Sequence, residues 1–341
     1  MNTICFLPRK LGLGGPASFQ ARLGEALRLQ GVNVTFDPDD LAVSAILVVG
    51  GTRHLNELCQ ARRRGVCIVQ RLNGMNWVHK QKHTGIKHYL RAEGGNWLLS
   101  TIRSRLADGI VYQSQFSQSW WQRVSGPVKA AGTVIYNGVD LNEYTPAGAN
   151  SLPTDCYRML LVEGHLGSGY EGGLISAVKA AELLNQRLDR PLELMVVGDV
   201  PPALQRQVAT DKVKIIWRGV VKRNEIPEID RSAHFLFSAD VNAACPNSVI
   251  EALACGLPVV GYDTGSLPEL LLNGAGKIAA YGGDPWKLET PNLHALVDAA
   301  QEILQDQEVF SRAARKQAEA NFDIYAIARS YLQVLLDGSN D

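Results

Sequence analysis

Short apolar runs alternate with amphipathic helical stretches along this chain, and the alternation runs through twice. Residues 4–7 read as a strand, and residues 18–30 then place Phe19, Leu23, Ala26 and Leu27 on one helical face. Strands at 32–36 and 45–49, a helix at 55–64 ended by Gly65, and strands at 66–70 and 109–113 follow. Strands separated by helices pair in parallel and need helices on both faces of their sheet. Residues 146–154, rich in Gly, Ala, Pro, Ser and Asn, read as a linker, after which the pattern restarts. Strands are expected at 159–162, 194–197, 213–217, 235–238 and 258–262, and helices at 173–184 and 248–254. Helical patterns at 293–305 and 308–321 and an amphipathic helix at 324–336 finish the chain. The expected fold class is α/β, with two doubly wound parallel-sheet domains, and 341 residues are enough for two cores.

Composition narrows the partners. Lys plus Arg and Asp plus Glu each number 34, so no basic excess marks a general nucleic-acid binder or a membrane-docking face. Local donors can still hold a small anion. Cys5, Cys59, Cys67, Cys156, Cys245 and Cys255 form no C-x-x-C and have no zinc-like His partners, so they read as reduced thiols, and no metal is expected. The N-terminus reads as a strand rather than a signal peptide, and no uncharged apolar run approaches ~20 residues. The cytoplasm is the expected compartment.

Each unit opens with a strand, a glycine loop and a helix. GLGGPA at 12–17 matches G-x-G-x-x-A with Asp37 about twenty residues on, and GSGYEG at 167–172 matches G-x-G-x-x-G. On motif alone these favour a dinucleotide-binding, NAD-dependent oxidoreductase, because glycines let the backbone approach a diphosphate at a helix N-terminus. Against this, residues 8–11 and Gly164–His165 intervene between the strands and the motifs, and Asp199 lies well past the usual spacing. Asn247 and Ser248 stand where a helix begins, with Glu251 one turn inside. Such an end suits a diphosphate, and the Glu251 carboxylate suits the two hydroxyls of a ribose. The same residues also suit a plain cap and a first-turn acid.

YNGVD at 136–140, VVGD at 196–199, RGVV at 218–221, NSVIEALACGLPVV ending at Val260 and GSLPEL at 265–270, with Gly14-Gly15, together resemble the family 4 glycosyltransferases. That resemblance spans nearly the whole chain and implies a GT-B fold of two facing Rossmann-like domains. It implies an acceptor domain at 1–150, a nucleotide-sugar domain at 151–322 and a helix at 323–341 crossing back to the first domain. It further implies a retaining hexosyltransferase that uses a nucleoside diphosphate sugar as substrate, UDP favoured. No cofactor is expected. The acceptor would be a saccharide or a lipid-linked saccharide, in polysaccharide synthesis, with neither nucleic acid nor an integral membrane span. By the resemblance Glu251 binds the ribose, Pro246, Asn247 and Ser248 meet the pyrophosphate, Gly219 and Val221 flank the base, and Gly14, Gly15 and Gly164 lie at the phosphates. The leaving diphosphate can itself take the acceptor proton, so no side-chain base is required. A non-catalytic sugar-nucleotide binder is the other alternative to the oxidoreductase.

Three positions depart from the family pattern. Ala243 replaces the first of two glutamates eight apart. His165 and Tyr170 replace an Arg and a Lys that hold the diphosphate, and Asn73 in RLNG replaces a His near the acceptor. Lys222 is then the expected phosphate cation, with Arg9 and Lys10 as second choices, and Asn73 and Lys222 are the candidate catalytic residues. Among weaker signals, DPDD at 37–40 reads as an acidic turn, Ser266-x-x-Glu269 as a capping box and Trp120–Trp121 as core. His79, His83 and His88 around Asn76 and Trp77 suit an acceptor-binding loop better than a metal site.

Overall fold

The structure is a computed structural model, and it describes residues 2–9, 14–149, 152–167 and 169–337. Lys10, part of the GLGGPA motif, Ser168 and the middle of the 146–154 stretch lie outside the described residues. In chain order the first unit holds β1 (Thr3–Leu7), α1 (Gly15–Leu29), β2 (Asn33–Thr35), β3 (Val43–Val49), α2 (Leu55–Arg63), β4 (Cys67–Leu72), α3 (Ile86–Arg105), β5 (Gly109–Tyr112), α4 (Gln115–Ser125) and β6 (Ala131–Val134). The second unit holds β7 (Tyr157–His165), α5 (Glu171–Asn185), β8 (Leu192–Asp199), α6 (Pro202–Gln207), β9 (Lys214–Gly219), α7 (Ile226–Arg231), β10 (Phe235–Phe237), α8 (Asn247–Ala254), β11 (Val259–Tyr262), α9 (Leu267–Leu270), β12 (Gly276–Ala279), α10 (Leu293–Gln305) and α11 (Gln307–Asn321). A last helix, α12 (Ile324–Asp337), belongs to the first unit.

Every strand pairing is parallel, in the orders β2-β1-β3-β4-β5-β6 and β12-β11-β10-β7-β8-β9. The central strands β1, β3, β4 and β8 are largely buried, as strands covered on both faces must be, and β7 is buried at Met159, Leu160 and Leu161. α3 has no clean one-sided periodicity in sequence, because Ala92, Leu99 and Ile102 are buried while Ile86, Leu90 and Trp97 face out. The short β6 and β12 contain only a few apolar residues each and give correspondingly little signal.

The compact units are residues 1–80, 84–140 and 323–341 on one side and Gln81–His83 with Leu141–Phe322 on the other. Tyr144 is fully buried, and Arg315 and Arg231 donate to the Tyr144 and Thr145 carbonyls, so these residues are held on the second unit. α12 is docked on the first unit. Ile324, Ile327, Ala328, Tyr331 and Leu335 join Phe19, Leu23 and Leu27 in one apolar cluster. The Phe19 and Tyr331 rings meet at 5.4 Å, and Gln30 Nε2 donates to the Tyr325 carbonyl at 2.9 Å.

All six cysteines are free thiols. Burial pushes Cys5 up to about 12 and Cys67 up to about 11, so both stay protonated and unreactive.

Candidate functional site

The second sheet has a point where its winding reverses. β7, β8 and β9 step one way and β10, β11 and β12 step the other, so the loops after β7 and β10 leave their neighbouring strands in opposite directions. Open parallel sheets bind ligands in the crevice at such a point, beyond the carboxyl ends of the strands. The first turn of α5, which follows the β7 loop, packs on the β10 loop, since a Cβ on Gly173 would lie 2.8 Å from the Ala239 Cβ.

α8 begins beyond β10. Pro246, not Asn247, occupies the N-cap, and the Pro246 side chain makes no cap bond. The purely capping role weighed for Asn247 is therefore corrected: it is the first helical residue and Ser248 the second. The first intrahelical bond runs from the Ile250 N–H to the Pro246 carbonyl at 3.4 Å. A helix N-terminus concentrates partial positive charge where an anion can meet it. Glu251, one turn along, is buried at 8 % exposure. Beside it the Asp230 carboxyl is pushed well above the usual carboxylate range, by burial first and by the Glu251 charge second.

The GSLPEL motif has a local reason. At Gly265, φ is +61°, and a Cβ there would sit 2.6 Å from the Ala243 nitrogen, so only glycine lets this turn lie on the Ala243 backbone. The Ser266 N–H then donates to the Ala243 carbonyl at 2.9 Å. The capping box expected at Ser266 and Glu269 does not form: the Ser266 side chain makes no cap bond, and the Glu269 N–H goes to the Ser266 carbonyl instead. Ser266 Oγ and Asn242 Nδ2 are buried without a hydrogen-bond partner, and Asn242 is held at φ +60°. Sequence reasoning read Ser266 only as a cap and missed Asn242, because nothing in the neighbouring residues announces burial without a partner.

Glu163 and Asp240 were also missed. They lie at or just past the carboxyl ends of β7 and β10, on the two strands that flank the reversal. Loss of surrounding water pushes the Glu163 carboxyl up to about 8, and the Asp240 charge adds to the rise. Asp240 is pushed up to about 6 by the same loss. Asp240 is the more exposed of the two, and the rise is the larger at Glu163. The available signal was an acid ending an apolar strand, as in LLVE and FLFSAD.

The loop after β7 is where the expected Arg and Lys are replaced. β7 runs through His165, so Gly164 and His165 are strand residues and do not separate the strand from the GSGYEG motif. His165 Nδ1 lies 2.9 Å from Asp199 Oδ2. Tyr170 sits at the N-cap of α5, half exposed, its hydroxyl raised by burial and by Asp240. A cation reaches this loop from elsewhere in the sequence: Lys82 Nζ donates to the Gly169 carbonyl at 3.1 Å and lies 4.0 Å from Glu171 Oε2. Gly198 of the VVGD motif packs against the same strand end, where a Cβ would fall 1.8 Å from the Glu163 carbonyl oxygen.

Gly219, at φ +67°, ends β9, and Val221 and Lys222 follow. The Lys222 side chain is exposed and, among the described residues, makes no ion pair; its N–H donates to Glu225 Oε2 at 2.8 Å. β9 stands three strand spacings from β10, about 14 Å.

In the first unit Gly14, at φ +115°, is the N-cap of α1 and Gly15 its first residue. Asn73 follows β4 and is held through its oxygens: its Oδ1 accepts from Arg71 Nη1 at 2.7 Å and Gln113 Nε2 at 2.9 Å, and its carbonyl accepts from Trp121 Nε1 at 2.9 Å. An amide so held orders its surroundings and has no lone pair to take a proton. Arg71 also donates to Asn137 Oδ1 at 2.6 Å and stacks 3.7 Å over the Phe19 ring. Trp120 and Trp121 are buried. Arg9 pairs with Asp37 and Glu57 at 3.6 and 3.7 Å. Asp37 and Asp40 accept from the Asp39 and Ala42 N–H groups, which makes DPDD a turn. His79 is buried with Nε2 2.7 Å from Glu93, and Asn76 is bonded to Asn96. Among the described residues no three His, Cys, Asp or Glu side chains converge as for a metal.

No curated protein matches the sequence. Sucrose-phosphate synthase from Thermosynechococcus elongatus shares the fold at TM-score 0.74, with 18 % identity over 98 % of each chain. HepE from Anabaena, solved with UDP and glucose, does so at 0.72, with 16 % identity over 99 % of this chain and 100 % of its own. WaaG, a glycosyltransferase of lipopolysaccharide biosynthesis, does so at 0.69, with 15 % identity over 98 % and 99 %. Residues 158–306 match the family Glycosyl transferases group 1, and they lie wholly within the second unit. The chain therefore has the two-domain GT-B fold, and within its second unit residues 158–306 are similar to the group 1 glycosyltransferases.

Proposed function

We propose that the protein is a retaining glycosyltransferase that moves a hexose from a nucleoside diphosphate sugar, UDP-glucose favoured, to a saccharide or lipid-linked acceptor in cytoplasmic polysaccharide synthesis. The observation that carries this reading is the N-terminus of α8, which Pro246 enters without a cap bond, at the sheet reversal, with Glu251 buried one turn inside. The diphosphate meets the first N–H groups of α8, with Asn247 and Ser248 beside it and Pro246 shaping the entry. Glu251 accepts from both ribose hydroxyls. The base lies toward Gly219 and Val221, which the ~14 Å from β10 to β9 accommodates. Lys82, beside the Gly169 loop that follows Gly164, and Lys222, on the base side, offset the phosphate charge. Asn242 and Ser266 supply polar contacts where Ala243 offers none.

Phosphate stabilisation and positioning carry the catalysis, and the leaving diphosphate takes the acceptor proton. Asn73 serves as a positioning residue, and no metal takes part. The UDP-bound structures of HepE, on the same fold, support the choice of nucleotide.

A dinucleotide reading keeps one point in its favour: the second sheet has the strand order of dinucleotide-binding folds, and Asp199 ends β8. Asp199 Oδ2 is taken up by His165 Nδ1 at 2.9 Å, and the family match lies with the transferases. Thermal-shift measurement against UDP, GDP, ADP, TDP and NAD separates the readings. A nucleotide at a hundred times its Kd stabilises the fold by about 2.7 kcal/mol. A shift with UDP and slow release of glucose from UDP-glucose are expected. A shift with NAD alone overturns the proposal, and UDP binding without any glucose release identifies a binder.

A further inference from the structure

His165 and Asp199 stand where β7 and β8 leave the second sheet. The pairing of these strands shifts register between Val162 and His165, and beyond the shift His165 lies opposite Asp199. The Leu166 N–H donates to the Asp199 carbonyl at 3.0 Å and ties the two strand ends together. The imidazole is held between a carboxylate and the first glycine of GSGYEG. Its Nδ1 lies 2.9 Å from Asp199 Oδ2. A Cβ on Gly167 would fall 3.0 Å from Nε2, so the other edge of the ring borders the glycine loop. The two side chains are 46 % and 62 % exposed, which leaves them open to a ligand. Among the described residues Nε2 has no hydrogen-bond partner.

A carboxylate oxygen only accepts, so Nδ1 carries a hydrogen. In the neutral ring Nε2 then holds a lone pair. A diphosphate oxygen also only accepts, so it gains nothing from that nitrogen until Nε2 is protonated.

We infer that the His165–Asp199 pair makes donor binding proton-linked: Nε2 takes a proton from solvent as the diphosphate of the nucleotide sugar binds, and Asp199 is the positioning residue that fixes the tautomer requiring it. The inference rests on the nucleotide-sugar reading above. The step forms one N–H bond and adds one positive charge, and no bond of the donor breaks. The arginine that the family resemblance places here is charged at every working pH, whereas an imidazole is charged only when protonated. Other titratable groups surround the ring. Glu171 accepts from the Gly169 N–H at 2.9 Å and lies 4.0 Å from Lys82, and Tyr170 begins α5. Glu163 and Asp240 stand at the sheet reversal, and their loss of protons with rising pH also disfavours an anion. A variant in which only His165 stops titrating separates these contributions.

Calorimetry with UDP-glucose at pH 6 and pH 8.5 tests the inference, because the diphosphate of this probe neither gains nor loses a proton in that interval. Wild type should bind about tenfold or more weakly at pH 8.5, and at pH 7.5 its binding heat should vary with the ionisation enthalpy of the buffer. H165R keeps its charge at both pH values, so its loss of affinity should be about fivefold smaller, the remainder belonging to Glu163 and Asp240. D199N places an amide that can donate beside Nδ1, which lets the neutral ring carry its hydrogen on Nε2. Its profile should flatten, with tighter binding than wild type at pH 8.5, a gain that damage to the fold would not produce. Equal pH dependence in wild type and H165R, a binding heat independent of buffer, or a D199N profile like that of wild type overturns the proposal and leaves the donor reading standing. Failure of both UDP-glucose and UDP to bind wild type at either pH overturns the donor reading and the proposal together.

Discussion

Acidification to pH 5 should weaken the second unit through one buried imidazole. His234 lies just before β10, 6 % exposed, and its Nδ1 accepts a hydrogen bond from the Arg158 N–H at 3.0 Å. A backbone N–H can only donate, so Nδ1 must be unprotonated, and protonation there breaks the bond. Burial, followed by the Arg190 and Arg158 guanidiniums and opposed by Glu193, lowers the imidazole from 6.5 to about 4. The Tyr157 ring, edge-on at 5.2 Å, and Gln307, whose Nε2 donates to the His234 carbonyl at 3.5 Å, bring no balancing negative charge. A base depressed in the folded state is protonated first in the unfolded state. The stability it contributes is therefore complete above pH 6.5, falls as pH drops and levels off below about 4. At 1.36 kcal/mol per unit, the loss is about 2 kcal/mol at pH 5 and about 3 kcal/mol at pH 4. Urea denaturation at pH 7 and pH 5, on wild type and His234→Gln, measures it. Glutamine leaves an acceptor and removes the titration, so the variant should lose about 2 kcal/mol less than wild type over that interval. Equal losses in the two proteins, or an NMR titration of His234 near 6.5, would refute the argument.

Other substitutions probe the proposed donor site and its frame. Glu251→Ala should weaken UDP binding about 10- to 100-fold in calorimetry, the loss of charged hydrogen bonds worth roughly 1.5–3 kcal/mol. Lys82→Ala and Lys222→Ala should each weaken it about tenfold, or about 1.4 kcal/mol, and an unchanged Kd removes that lysine from the site. Gly198→Ala should prevent recovery of folded protein, because the new Cβ would fall 1.8 Å from the Glu163 carbonyl at a backbone φ of +137°. Normal expression and an unaltered melting midpoint would contradict that contact.

Much of the fold was legible because long amphipathic helices and buried strands write their period into the sequence. α10 matches its expected span of 293–305 residue for residue, and α11 and α12 each match to within one residue. α3 was not legible, since apolar residues on two faces cancel the period that marks one. At the site, the α8 motif and the glycine turns could be read directly, because each depends on neighbours a few positions away. Lys82 at the Gly169 loop, 87 residues distant, and the Glu163–Asp240 pairing across two strands could not.

The sequence by itself determined a twice-repeated parallel α/β chain and the residues at the start of α8, because periodicity and capping chemistry are local. Only the tertiary structure decided that β10 lies beside β7, that Pro246 occupies the N-cap of α8 without a cap bond, and that Asn73 is held by Arg71 and Gln113. Those outcomes depend on which distant segments share a sheet edge or a buried hydrogen bond. That choice is set by the competition among all the chain's apolar surfaces for burial, and no local pattern records it.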